Sequence, residues 1–97
     1  MRNYELMVVI SPDLDDEGSS AIIEHVKLLV TQKGGSVTSE DRWGQRRLAY
    51  PIDKFTEGNY VLTHLQLDPT SVKELDANLQ ASEGIIRHLL VVLSETK

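Results

Sequence analysis

The feature that most constrains this chain is the order in which its apolar period changes: two residues, then 3.6, then two, two, 3.6 and two again. Period two marks strands and period 3.6 marks helices. Residues 3–10, Asn-Tyr-Glu-Leu-Met-Val-Val-Ile, make the first strand, ended by Ser11-Pro12-Asp13. Tyr4, Leu6, Val8 and Ile10 form its better core face, since the other, Glu5, Met7 and Val9, includes a carboxylate. Ile22, Ile23, Val26, Leu29 and Val30 then line one side of a helix. Asp13, Asp15, Asp16 and Glu17 cluster at its start, where negative charge complements the helix dipole, and Gly34-Gly35 stop it.

A second strand is predicted from Ser36 to about Arg42, an extended stretch from Leu48 to Ile52, and a loop over residues 53–59 containing Gly58. A third strand, Tyr60 to Leu67, turns Val61, Thr63, Leu65 and Leu67 inward. Asp68-Pro69 and Ser71-Val72-Lys73-Glu74 offer competing starts for a shorter helix with Val72, Leu75 and Leu79 as its stripe. Gly84 ends it, and residues 85–93 form a last strand that is apolar on both faces. The order is βαββαβ. Right-handed crossovers let the third strand insert between the first and second and put the fourth on the far side of the first. The result is an α+β, ferredoxin-like fold: a four-stranded antiparallel sheet with two helices on one face. Ninety-seven residues suit one such domain, spanning 1–97. The other face would be bare, with Glu5, Met7, Val9, Tyr60, Leu62, His64, Arg87, Leu89 and Val91. It is too apolar to be purely solvated and is a candidate docking surface.

Charge singles out Arg42-Trp43-Gly44-Gln45-Arg46-Arg47-Leu48-Ala49-Tyr50-Pro51-Ile52, which holds three of the five arginines and the only tryptophan. With Asp53 and Lys54 this stretch carries +3, in a chain whose net charge is −5. A cationic island in an acidic chain suits a local anion site, most simply a phosphate backbone, while a pI near 5 argues against indiscriminate nucleic-acid binding. Gly44 is available for a positive φ in a turn or bulge, and Pro51 belongs at a strand end. Packing of Trp43, Leu48, Tyr50 and Ile52 in a hairpin with solvated arginines is the plainer alternative.

Known catalytic patterns are missing. There are no cysteines, which excludes disulfides, thiolate metal sites and cysteine catalysis. His25, His64 and His88 lie on three elements without metal-ligand spacing. No P-loop, G-x-G-x-x-G or G-x-S-x-G occurs, and the S-x-x-K match at residues 94–97 sits at the terminus, where no rigid site forms. The loop after the first strand is acidic and would repel the anions that ferredoxin-like acylphosphatases bind there. The expectation is a non-enzyme with no cofactor and no metal. Lacking a long apolar run and a basic-then-apolar start, the chain is expected to be cytoplasmic, with neither a membrane nor a small-molecule substrate as partner.

Met1-Arg2-Asn3-Tyr4-Glu5, Trp43-Gly44-Gln45-Arg46-Arg47-Leu48-Ala49-Tyr50-Pro51-Ile52, Asn59-Tyr60-Val61-Leu62 and Ile85-Ile86-Arg87 together resemble the bacterial small-subunit ribosomal protein six family, over essentially the whole chain. The resemblance implies a ferredoxin-like structural protein of the small ribosomal subunit. It also implies binding to the central domain of 16S ribosomal RNA, cooperatively with small-subunit protein eighteen. Position by position it implies RNA contacts at Arg2, Arg46, Arg47 and Arg87, with Arg42 and Lys54 as further cations. Tyr4, Trp43, Tyr50, Tyr60 and Leu62 become candidates for packing against RNA or the partner protein. A ferredoxin-like regulatory or oligomerising module that binds a small metabolite is the alternative; it explains the apolar last strand but not the arginines.

Overall fold

In the computed structural model, described over residues 1–52 and 55–93, the elements are β1 (Arg2–Ile10), α1 (Asp16–Gln32), β2 (Ser36–Ile52), β3 (Phe55–Leu67), a 3-10 turn (Pro69–Ser71), α2 (Val72–Ala81) and β4 (Ile85–Val92). Lys54 and the Ser-x-x-Lys match at 94–97 lie outside the described residues. The sheet order is β2-β3-β1-β4, with every neighbouring pair antiparallel. This is the ferredoxin-like arrangement that the element order predicts.

One cluster holds the fold together. Leu6, Val8, Ile10, Val61, Leu65 and Leu67 from the sheet meet Ile23, Val26, Leu29 and Val30 of α1 and Leu75 and Leu79 of α2. Both helices contribute to the same cluster, so both cover the same sheet face. Burying each of these side chains contributes roughly 1.5–3 kcal/mol. Thr63 is tolerated inside because its hydroxyl donates to the Leu6 carbonyl at 3.2 Å.

The helix ends explain themselves chemically. Asp15 caps α1 by accepting from the Gly18 amide at 2.8 Å, with Asp16 and Glu17 in the first turn. At the other end the Gly35 and Gly34 amides donate back to the Val30 and Thr31 carbonyls. The competition after β3 resolves in favour of Asp68, which accepts from the Thr70 amide and starts the 3-10 turn, while Ser71 makes no capping bond.

The chief departure from expectation lies in the middle of the chain. β2 runs unbroken for 17 residues, and β3 begins at Phe55 instead of Tyr60. The two form a long ribbon that overshoots the rest of the sheet: Ile10 pairs with Asn59, yet Arg46 and Arg47 still pair with Gly58 and Glu57. Gly58 is therefore a strand residue, not a loop residue. A Cβ there would collide with Val9 Cγ1, so glycine marks a close approach within the sheet. Gly44, with φ of 83°, sits at a break in register between Arg42 and Gly44, which is a bulge.

Candidate nucleic-acid interface

The bulge at Gly44 decides where the side chains of the basic stretch go. Before it, Arg42 lies opposite the core residue Val61 and points to the helical side, where it donates to Glu40 at 2.7 Å and to Ser20 of α1 at 3.2 Å. After it, Arg46 lies opposite Gly58, whose missing Cβ faces Val9 on the helix-free face. Trp43 stacks on Tyr60 with centroids 6.4 Å apart and an interplanar angle of 10°, and its indole N–H donates to Asp41. Arg46 donates to the Trp43 carbonyl through Nε in a long hydrogen bond.

The tip of the ribbon does not project straight into solvent. Arg87 Nη1 of β4 donates to the Tyr50 hydroxyl at 2.7 Å, and its guanidinium carbon lies 5.7 Å from the Tyr50 ring centroid. β2 and β4 are opposite edges of the sheet, so this contact requires the ribbon to bend across the end of β3 and β1. Val9 and Leu48, 3% and 8% exposed, are buried although neither belongs to the main core cluster. Val9, predicted to lie bare, is thus covered, with Gly58 and Ile86 beside it.

The helix-free face therefore has two ends. At the ribbon end stand Arg46 and Arg87, exposed and, among the described residues, without a carboxylate within salt-bridge distance; Arg47, next to Arg46 and opposite Glu57, is equally exposed and unpaired but points to the other side of the ribbon. Trp43 and Tyr50 are 42% and 56% exposed there, and Met7, Val9, Tyr60, Arg87 and Leu89 line a shallow depression. At the other end, His64 bridges Ser39 and Glu5 through its two ring nitrogens, at 2.8 and 3.2 Å, in the row of the sheet that Val91 of β4 completes. Three other described cations, Lys27, Lys33 and Arg42, are paired with carboxylates, whereas Arg2 and Lys73 make no salt bridge among the described residues. Lys27 lies 2.6 Å from Glu40, and Lys33 lies 2.9 Å from Glu74. The Lys27 ammonium, with Arg42 second, holds the Glu40 carboxyl below its ordinary value, while Glu40 pushes Lys27 upward.

Three sequence candidates, Tyr4, Arg2 and Arg42, do not join this interface. Tyr4 is 5% exposed and belongs to the core, because period two puts it on the same face as Leu6 and Val8. It is not a docking side chain. Arg2 pairs with Leu67, nine residues of β3 away from Gly58, which is roughly 30 Å along the sheet. It stands at the opposite end of the molecule from the other exposed arginines. Arg42 points to the helical side and is tied to Glu40. The Tyr50–Arg87 contact and the role of Ser39 carry no signal in local spacing, since their partners are 37 and 25 residues distant.

A protein-family model described as Ribosomal protein S6 matches residues 3–92. The chain belongs to the ribosomal protein S6 family. Small ribosomal subunit protein bS6 of Clostridioides difficile is 47% identical over 92 residues, covering 95% of this chain and 99% of that protein. The bS6 protein of Clostridium acetobutylicum is 44% identical over 95 residues, covering 98% and 100%. The crystal structure of 30S ribosomal protein S6 from Thermotoga maritima superposes with a TM-score of 0.89 at 30% identity, over 95% of this chain and 87% of that one. The S6 family is one of small-subunit ribosomal proteins, which accords with the expected lack of enzymatic activity. The C-terminal domain of the MgtC protein from Mycobacterium tuberculosis shares the fold alone, with a TM-score of 0.63 at 12% identity over 96% and 88%.

Proposed function

We propose that this chain is a structural component of the bacterial small ribosomal subunit, in the cytoplasm, and that it binds the central domain of 16S ribosomal RNA together with small-subunit protein eighteen. The observation that carries the RNA reading is the pair Arg46 and Arg87, without carboxylate partners among the described residues at one end of the helix-free face of an otherwise acidic chain, with Arg47 exposed on the other side of the same ribbon. Unmatched guanidinium groups in a molecule with spare carboxylates are available for charge-assisted hydrogen bonds to phosphates, which fix position without reading sequence. The exposed rings of Trp43 and Tyr50 beside them suit packing on sugars or bases. The other end of the face, apolar at Leu62 and Val91, suits the protein partner. Such an interface performs no bond chemistry; its work is to add free energy to one RNA fold.

The test is a salt series. Arg46→Ala combined with Arg47→Ala weakens binding to the central-domain RNA and flattens the plot of log affinity against log salt by about one unit for each arginine–phosphate pair removed. Folding stability changes little, because both side chains are exposed. An unaltered slope would place the RNA elsewhere on the molecule.

A further inference from the structure

The Tyr50–Arg87 contact joins parts of the chain that neither the sheet nor the core would bring together. β2 and β4 are separated by β3 and β1, so their mean lines lie about three strand spacings apart, roughly 14 Å. The ribbon tip nevertheless reaches β4. The hydroxyl of Tyr50 accepts from Arg87, and the guanidinium also lies against the ring. As an acceptor the hydroxyl keeps its own hydrogen free. Guanidinium N–H groups and a phenol O–H are thus presented side by side, at the end of the face where Arg46 stands.

We propose that Tyr50 is a positioning residue: it latches the ribbon tip to Arg87 and holds that guanidinium in place for a phosphate. This rests on the RNA reading given above and assigns Tyr50 a different part from direct packing on RNA. A free arginine samples many rotamers, and fixing it on binding costs conformational entropy. An arginine already held by a hydroxyl and an aromatic face loses less. The same contact keeps Arg46, on the bent ribbon, and Arg87, on the far edge strand, at one end of the face, so a single stretch of RNA backbone can reach both.

The experiment is a double-mutant cycle of Tyr50→Phe and Arg87→Ala, read by binding of the full chain to central-domain RNA across a salt series. It is paired with NMR of the Arg87 Nε–Hε group in the RNA-free protein. Tyr50→Phe keeps the ring and removes the hydroxyl, both as the acceptor for Arg87 and as a donor. It is expected to weaken RNA binding roughly 2- to 10-fold, the range of one hydrogen bond, without changing the salt slope. Arg87→Ala lowers the slope by about one. In the Arg87→Ala background, Tyr50→Phe then has no further effect, and in the free protein it makes the Arg87 side chain more mobile. An equal loss from Tyr50→Phe in both backgrounds would mean that the hydroxyl touches RNA directly, and the latch would be discarded. If Tyr50→Phe changes neither binding nor Arg87 mobility while Arg87→Ala still weakens binding, the latch fails and the RNA reading stands. If Arg87→Ala itself leaves binding and slope unchanged, both fail together at this residue.

Discussion

The two ends of the helix-free face are built from the same four strands but solve different problems. At the ribbon end, β2 and β3 outrun their neighbours, bend across the sheet and bury Val9 and Leu48, leaving arginines outside. At the other end nothing folds over. Val91 stays 42% exposed on an edge strand, and the polar residues Glu5, His64 and Ser39 satisfy one another. The contrast teaches that a bare sheet face need not be one surface. A ribbon a few residues longer than its neighbours turns half of it into a small second core with a cationic rim, and leaves the other half as the apolar region open to a protein.

The sharpest way to break that division is at Gly58. A Cβ there meets Val9 Cγ1 and the Ile10 carbonyl, so Gly58→Ala should cost about 1–3 kcal/mol by overpacking. Val91→Ala, on the uncovered half, should stay within about 0.5 kcal/mol. Urea unfolding of both variants measures the difference. Equal costs would mean that the covered end is no better packed than the open one.

A second measurement asks whether the open half serves the protein partner. Val91→Asp puts a charge into the exposed apolar end without disturbing the core. If small-subunit protein eighteen docks there, wild-type protein should show RNA affinity raised about 5- to 150-fold by the partner, corresponding to a coupling of about 1–3 kcal/mol. The variant should lose most of that gain while binding RNA alone as before. Retention of the full gain would move the partner off this end.

The fold was legible because period and order agree: the core sets Leu6, Val8 and Ile10, Ile23 and Val26, and Leu75 and Leu79 all follow from local spacing. Tyr4 could have been removed from the docking candidates by the same alternation, which already placed it inward. Arg2 could have been separated from Arg46 by topology, since it begins the strand whose far end the ribbon overhangs. The ribbon itself was not legible. Glycines at 44 and 58 and a proline at 51 lower strand propensity, and only pairing between β2 and β3 overrides them. Nor can alternation be counted through a bulge, which is why Arg42 and Arg46, four apart, serve opposite sides. The bend that brings Tyr50 to Arg87 has no local signature at all.

The smallest expected effect separates matched from unmatched arginines on β2. Arg42 is held by Glu40, which also takes Lys27 at 2.6 Å. Arg42→Ala should therefore leave the RNA salt slope unchanged, where Arg46→Ala lowers it by about one. The same trio has an acid signature. Lys27 first, and Arg42 second, hold the Glu40 carboxyl below its ordinary value of 4.5 in the folded state. A carboxyl whose folded value is depressed contributes stability that is fully present above the unfolded value and is lost as pH falls through the folded one. Unfolding by urea should thus become easier below about pH 4.5, and Glu40→Gln should flatten that part of the profile while leaving RNA binding near neutrality unaltered. A variant whose acid limb matches the parent would show that the Lys27–Glu40–Arg42 group is too well solvated to matter, and that the helical side owes its stability to apolar packing alone.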